Sequence, residues 1–201
     1  MMTRSARPVV DRAELGFVEA AQAAFSFLVE DRGFRLVRLE PPTFLRYESD
    51  TIFVNIYHGR QSYELNVEIG RIADPMGRSY RLPEVLGALF GWDDRRRTYF
   101  QASSSPVVRR CIETIADLVT RHYQQVLMGD REALDRIAAH TAEKAHMLEK
   151  EAVQRRVRGA AEKAWRAKNY AKVRELYESI RDDLSLVERK RLEYAEKHDR
   201  G

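Results

Sequence analysis

Hydrophobic and polar residues alternate along two adjoining segments between residues 51 and 72. A period of two is typical of a strand that packs one face against a core. The first segment alternates Ile52, Val54 and Ile56 with Phe53, Asn55 and Tyr57, and the second alternates Tyr63, Leu65, Val67 and Ile69 with Glu64, Asn66 and Glu68. Joined by the turn at residues 58–62, the two segments predict a β-hairpin whose apolar face packs inward and whose acidic positions lie on the other face.

The residues before the hairpin predict one helix and two further strands. Asp11 can cap a helix that runs to about Glu30, because apolar residues recur there at helical spacing and Gly33 follows in the position typical of a helix end. Residues 34–39 and 43–48 have the composition of strands. Four strands at short spacing predict an antiparallel meander, with the first helix packed across its apolar face.

Helical patterns dominate the chain after residue 80. A short helix is predicted over Glu84–Phe90, and a longer one over Pro106–Met128 after a serine-rich start signal. A single long helix is predicted from Arg131, because no proline or glycine follows until residue 159. Two short helices that break near Lys168 and a last helix from Leu184 complete the pattern.

These elements predict the fold class α+β. The predicted first domain, residues 1–128, is a four-stranded antiparallel meander packed with helices. The predicted second part, residues 129–201, is a mostly helical extension. The composition changes near the same boundary, because every lysine lies at or after Lys144 while the preceding residues use arginine alone.

Composition narrows the class of protein further. Of the 201 residues, 44% are hydrophobic and 33% are charged, which suits a packed core under a strongly charged surface. The single cysteine, Cys111, excludes an internal disulfide. No apolar run approaches the roughly 20 residues of a membrane span, and the first 11 residues lack the apolar stretch of a secretory signal. We therefore expect a cytoplasmic protein with no membrane partner.

Six hairpin residues form the candidate partner-binding site. They share the strand face that points away from the predicted core: Phe53, Asn55, Tyr57, Glu64, Asn66 and Glu68. Aromatic side chains beside polar ones are typical of protein-binding surfaces. Two alternatives stay open at this point: the carboxylates form only the solvated side of a sheet, or the helix over residues 106–128 covers the face and makes its aromatics part of the core.

The chain contains no catalytic signature from which an enzyme is predicted. It has no G-x-S-x-G motif, no phosphate-binding G-x-x-x-x-G-K-[ST] motif and no G-x-G-x-x-G motif. Glu143-x-x-His146 has the spacing of half a di-iron site, but the other half is missing, so neither a metal nor a cofactor is predicted. The enzymatic alternative is a hydrolase or nuclease in which His58, at the hairpin turn, acts with Glu64 and Glu68.

The helical extension carries a basic surplus, with 15 Lys and Arg against 10 Asp and Glu over residues 150–201. This surplus motivates a second alternative, a nucleic-acid-associated protein that uses Arg155, Arg156, Arg158, Lys163 and Arg166. Because the charges alternate in sign, a protein partner is the favoured prediction. The alanine-rich stripe over residues 131–158 would also suit a homo-oligomer, since small side chains allow helices to pack closely.

Three phrases in the first domain carry a resemblance: FLVEDRGF, LRYESDTIFVNIYHGRQSYELNVEIGRI and YRLPEVL. Together with the order of predicted elements, they make residues 15–128 similar to small cytoplasmic bacterial proteins that include immunity proteins of polymorphic toxin systems. The resemblance implies a non-enzymatic protein whose exposed surface occupies a partner. Glu64 and Glu68 would then suit a basic toxin face.

A second resemblance lies in the helical extension. The string AEKAWRAKNYAKVRELYESI, within about residues 160–180, looks like one tetratricopeptide unit. A stacked array of such units needs about three repeats to bury its faces. The resemblance therefore implies a single helical hairpin that docks on the rest of the chain, and not a peptide-binding superhelix.

Overall fold

The computed structural model describes residues 11–91 and 98–198. The chain divides into two compact units, Met1–Thr141 and Ala142–Gly201. Three interpretations of the sequence lie outside the described residues: a loose basic arm at residues 1–10, a core cap at Trp92 and a solvated loop at residues 93–97.

The described residues of the first unit form an antiparallel sheet of six strands. The strands are β1 (Arg35–Glu40), β2 (Phe44–Glu48), β3 (Ile52–His58), β4 (Glu64–Arg71), β5 (Tyr80–Arg81) and β6 (Phe100–Gln101). Their spatial order follows the chain from β1 to β5, and β6 also pairs with β4. The α+β class and the meander of β1–β4 are confirmed. The predicted number of strands was too small, because β5 and β6 span two residues each and are too short to show alternation.

One face of the sheet forms the core of the first unit. Leu45, Ile56 and Val67 lie opposite one another across β2, β3 and β4, and Tyr47, Val54 and Ile69 form the neighbouring row. All six side chains are buried in one cluster with apolar residues from the helices. The alternation of apolar positions therefore corresponds to the inward face of the hairpin, as predicted.

The predicted helix over residues 11–30 is three shorter segments. A 3-10 turn at Ala13–Leu15 is followed by α1 (Phe17–Ala24) and α2 (Ser26–Glu30). The first interruption is at Gly16, whose φ of 63° is left-handed and cannot continue a right-handed helix. The sequence predicts an apolar stripe of Leu15, Val18, Ala21, Phe25 and Leu28. The structure buries these residues except Val18, in whose place Phe17 is buried.

Three further helices contribute to the core of the first unit. They are α3 (Leu82–Phe90), α4 (Ser105–His122) and α5 (Gln124–Leu127). The predicted helix over residues 106–128 is divided at Tyr123, which separates α4 from α5. α4 packs against α1 and buries Val108, Ile112, Ile115 and Val119 in the core.

The next helix, α6, spans Arg131–Arg166 and continues through Gly159, where a new helix was expected. Asp130 begins it by accepting a hydrogen bond from the Ala133 N–H at 3.1 Å. Its first turns belong to the first unit, because Ala133, Leu134 and Ile137 join that core. Within the described ranges, no helix is both long enough and apolar enough to cross a lipid bilayer.

The second unit has its own apolar core. It contains the later part of α6 together with α7 (Tyr170–Glu178) and α8 (Leu186–His198). The predicted break near residue 168 is present: Lys168 has a φ of 56°, and the Asn169 side chain caps α7. The buried residues are Ala161, Val173, Tyr177, Ile180, Leu184, Leu192 and Ala195.

An aromatic cluster lies beside this core. Trp165, Tyr170 and Tyr194 contact one another edge to face, with ring centroids 5.4–5.7 Å apart. The guanidinium carbon of Arg191 is 5.2 Å from the centroid of the Trp165 ring. The cluster therefore connects the end of α6 with α7 and α8.

Candidate partner-binding face

The sheet surface opposite the core carries polar and aromatic side chains, and we call it the polar face. It consists of Phe44, Arg46, Glu48, Phe53, Asn55, Tyr57, Glu64, Asn66, Glu68 and Arg81. Strand register places Arg46 opposite Asn55, Asn55 opposite Glu68, and Glu68 opposite Arg81. The structure thus brings the six residues of the predicted partner-binding site together on one face.

Glu68 is the centre of the polar contacts on this face. Arg81 Nε lies 3.4 Å from Glu68 Oε1, and the Ser79 hydroxyl donates to Glu68 Oε2 at 3.5 Å. The Tyr57 hydroxyl is near enough to the same carboxylate to be affected by its charge. Burial, followed by the negative charge of Glu68, raises the pKa of Tyr57 to about 12, so this hydroxyl remains a donor at neutral pH. Glu68 is therefore compensated locally, and the face presents charges of both signs.

The two asparagines of the polar face differ in their hydrogen bonding. Asn66 Nδ2 donates to Glu64 Oε1 at 3.1 Å, and Asn66 Oδ1 accepts from the Val67 N–H at 2.8 Å. Asn55 is only 9% exposed, yet its Oδ1 has no hydrogen-bond partner within the part of the chain that the structure describes. A buried acceptor without a donor costs about 1–3 kcal/mol of stability. Among the described residues of this face, Asn55 therefore carries the one buried side-chain acceptor without a hydrogen-bond partner.

Phe53 is held between a glycine and an arginine. The guanidinium carbon of Arg46 lies 4.0 Å from the centroid of the Phe53 ring, in a cation–π contact. Phe53 pairs with Gly70 in the register, and a Cβ added at Gly70 would approach the Phe53 ring to 2.6 Å. Arg46 also donates from Nε to Glu48 Oε1 at 2.6 Å. The missing side chain at Gly70 therefore provides the space in which this aromatic ring lies flat.

The polar face is partly open. Phe53, Asn55 and Asn66 are buried, whereas Tyr57 and Glu68 are half-buried and Arg81 is exposed. The helix over residues 106–128 does not bury its apolar stripe here, because the stripe joins the core on the opposite face. The predicted alternative in which that helix makes these aromatics part of the core is therefore wrong.

His58 lies on the other face of the sheet from Glu64 and Glu68. It pairs with Leu65 and is 1% exposed, with its ring 5.6 Å from that of Phe17. Its Nε2 donates to the Ala102 carbonyl at 2.8 Å, which leaves Nδ1 to accept from the Arg12 guanidinium at 3.3 Å. The structure does not bring together the three groups that the hydrolase alternative requires.

Burial, above all other causes, lowers the pKa of His58. A group whose folded pKa is depressed contributes stability above its unfolded pKa of about 6.5 and loses it as the pH falls. We therefore expect the free energy of unfolding in urea to decrease between about pH 7.5 and about pH 5. A His58→Gln chain should show a smaller decrease, because the group that takes up the proton on unfolding is gone. An unchanged pH slope in that variant would contradict this role for His58.

Of the five basic residues named for the nucleic-acid alternative, two form ion pairs within the second unit and three are exposed. Arg158 Nε donates to Glu188 at 3.0 Å, and Arg166 Nε donates to Glu162 at 3.0 Å. The other three are exposed along α6: Arg155, Arg156 and Lys163. Two of the five predicted contacts therefore already serve ion pairs within the second unit.

The described residues contain no group of three or more histidine, cysteine, aspartate or glutamate side chains that could hold a metal ion. Cys111 is half-buried against the core of the first unit. Burial raises the pKa of its thiol, which therefore stays protonated at neutral pH. From its position in the apolar stripe of the helix over residues 106–128, the sequence predicts Cys111 as a small buried side chain, and the structure agrees.

Four residues of the polar face were missed by the reasoning from sequence: Phe44, Arg46, Glu48 and Arg81. Arg46 shares the parity of Phe44 and Glu48 in β2, so the alternation of that strand could have indicated it. Arg81 belongs to a strand of two residues, and no local pattern could have placed it opposite Glu68. Arg46 and Arg81 bring positive charge next to Asn55 and Glu68, so the sequence alone suggested a face that was too acidic.

Comparisons with known proteins add no assignment to this geometry. A scan against protein-family models finds no matching family, and neither the curated proteins nor the solved structures searched give a match.

Proposed function

We propose that this chain binds a protein partner through the polar face, as a non-enzymatic module of the kind represented by immunity proteins of polymorphic toxin systems. The observation that carries the proposal is the buried Asn55 Oδ1, which lacks a donor in a face whose neighbouring polar groups are paired. Buried polar groups in native proteins are nearly always satisfied. A donor supplied by a partner would satisfy this one once the side chains that cover it move aside.

The surroundings of Asn55 define the chemistry of that partner. The cross-strand neighbours are Arg46 on one side and Glu68 on the other, so the partner should offer charges of both signs around a hydrogen-bond donor. Arg46 covers Phe53 in the free chain. A partner carboxylate that draws Arg46 away would uncover aromatic surface beside Asn55, which is the combination found at the centre of protein interfaces.

Replacing Asn55 with valine is expected to raise the free energy of unfolding by about 1–2 kcal/mol, because the orphaned acceptor is removed and a strand-favouring side chain takes its place. The same variant should bind the partner more weakly. Urea unfolding followed by far-UV circular dichroism measures the first effect.

Asn66→Val is the matched control, because Asn66 is equally buried on the next strand but has partners for both side-chain polar atoms. Asn66→Val should lower the free energy of unfolding by about 1 kcal/mol, because it removes these hydrogen bonds. If Asn55→Val destabilised the chain as much as Asn66→Val does, Asn55 would have a partner in the free protein and the proposal would lose its main support.

Binding itself can be tested with the immobilised full chain and a lysate of the organism that encodes it. Proteins retained by the wild type should be depleted at least about tenfold by Glu64→Lys or Glu68→Lys on the polar face. Glu113→Lys makes the same charge change at an exposed position of α4 and should retain them. Quantitative mass spectrometry compares the four eluates, and calorimetry with the purified partner then gives the dissociation constants.

If the chain is an immunity protein, the captured protein should be a toxin. Expressed alone it should arrest growth, and co-expression of the wild-type chain, but not of Glu68→Lys, should restore growth. If the polar-face variants retain the same proteins as the wild type, the proposal is refuted. Retention that disappears with nuclease treatment, with salt and with Arg155→Glu would instead favour the nucleic-acid alternative.

A further inference from the structure

The first strand of the sheet has apolar side chains that the described helices do not cover. β1 is the edge of the sheet, and among the described residues it pairs with β2 alone. Leu36, Val37 and Leu39 are 37%, 48% and 41% exposed, and Val29 on the adjacent helix α2 is 48% exposed. An edge strand with exposed apolar residues and free backbone groups is a template for pairing with another strand.

The hydrogen-bond pattern determines which backbone groups of β1 point outward. The His58 N–H donates to the Thr43 carbonyl at 2.9 Å, so the odd-numbered residues of β2 bond to β3. The even-numbered residues of β2 therefore bond to β1, where their partners are Arg35, Arg38 and Glu40. The N–H and C=O groups of Leu36 and Leu39 consequently point away from the sheet.

A bulge makes this edge complementary to itself. The register shifts between Leu36 and Arg38, which places Val37 as an extra residue. Leu36 and Leu39 are three positions apart and would point opposite ways in a regular strand. Because of the bulge, both direct their side chains to the core face, opposite Tyr47 and Leu45, and both direct their backbone groups outward.

We propose that two copies of this chain associate through β1, with the strands antiparallel about a two-fold axis that passes between Val37 and Arg38. Leu36 of each copy then lies opposite Leu39 of the other, where the two residues exchange both backbone hydrogen bonds. Arg35 of each copy faces Glu40 of the other on the polar-face side. Arg35 is thus matched with Glu40 and Leu36 with Leu39 across the axis, while Glu40 also accepts a hydrogen bond from Arg38 of its own chain at 2.7 Å. This match is the argument for a second copy as the occupant.

This interface is small. A single pair of edge strands falls at the low end of specific interfaces, so the dimer should form in a concentration-dependent way. It also differs from the self-association predicted through the helix over residues 131–158. The two can be separated, because variants of β1 leave that helix unchanged. The proposal is independent of partner binding by the polar face.

Sedimentation velocity on the full chain tests the proposal over about 1–300 μM. The wild type should shift from monomer to dimer as its concentration rises. Arg35→Glu should weaken association at least about tenfold, because each attractive pair becomes repulsive. Arg35→Glu combined with Glu40→Arg should recover association to within about threefold of the wild type. Arg109→Glu, which makes the same charge change at an exposed position of α4, should have no effect.

Leu39→Pro provides a test that does not depend on charge. It removes an outward N–H that β2 does not use, so the monomer should keep its far-UV spectrum and melting temperature while the dimer disappears. A wild-type chain that stays monomeric throughout the range would overturn the proposal. So would a dimer that survives both Leu39→Pro and Arg35→Glu, or a charge swap that fails to restore association.

Discussion

Replacing Gly70 with valine is expected to lower the free energy of unfolding by about 3 kcal/mol. A Cβ at this position would lie 2.5 Å from the carbonyl oxygen of Arg78 and 2.6 Å from Cζ of Phe53. The carbonyl belongs to the backbone that leads into β5, so it cannot move without displacing that strand. Phe53 must therefore leave its place, together with the Arg46 guanidinium that covers it. Urea unfolding of the full chain measures the loss.

Gly159→Ala is the control for Gly70→Val. Gly159 lies inside α6, where an added Cβ would meet no atom within 4 Å. Alanine there should raise the free energy of unfolding by about 0.5–1 kcal/mol, because it restricts the unfolded chain and favours the helix. If Gly70→Val were as stable as the wild type, the backbone around Arg78 would move aside at no measurable cost. The position of Phe53 in the polar face would then not be fixed by the missing side chain at Gly70.

The second large effect is expected from Leu28→Ala, which should cost about 3 kcal/mol or more. Leu28 is fully buried in α2 and belongs to the core of the first unit. Shortening it removes contacts and leaves a cavity that the backbone cannot close, because the Leu28 carbonyl also accepts a hydrogen bond from the Phe34 N–H at 2.9 Å. The same urea assay measures this loss.

The adjacent residue provides a close comparison. Val29 is 48% exposed on the same short helix, so Val29→Ala should change the free energy of unfolding by no more than about 0.5 kcal/mol. Equal losses at the two positions would mean that α2 does not pack as described. The pair therefore tests the position of the helical layer on the sheet with two substitutions one residue apart.

The hairpin was predictable because its two strands are long enough to show which residues share a face. Alternation alone separated Val54 and Ile56 from Asn55 and Tyr57, and the structure places them on opposite faces. The break near Lys168 was also predictable from local residue types, and the structure adds that Lys168 is left-handed and that Asn169 caps α7. These features depend on interactions within a few residues.

The parts that could not be predicted depend on contacts between distant segments. Nothing near Arg81 in the sequence indicates that it lies opposite Glu68, and nothing near His58 indicates that Ala102 supplies its acceptor. The same limit applies to the division between the units. The first turns of α6 bury Ile137 in the first core, so they belong to that unit and not to the helical extension in which the sequence placed them.

The ring contacts around Trp165 have a spectroscopic consequence. Tyr170 and Tyr194 lie close enough to transfer excitation energy to the indole, with centroids 5.7 and 5.5 Å away. The chain contains only two tryptophans, so the tryptophan emission of a Trp92→Phe chain would come from Trp165 in the helical unit alone. Its emission on heating would follow the separation of α6, α7 and α8, and melting of that unit could be recorded within the intact protein.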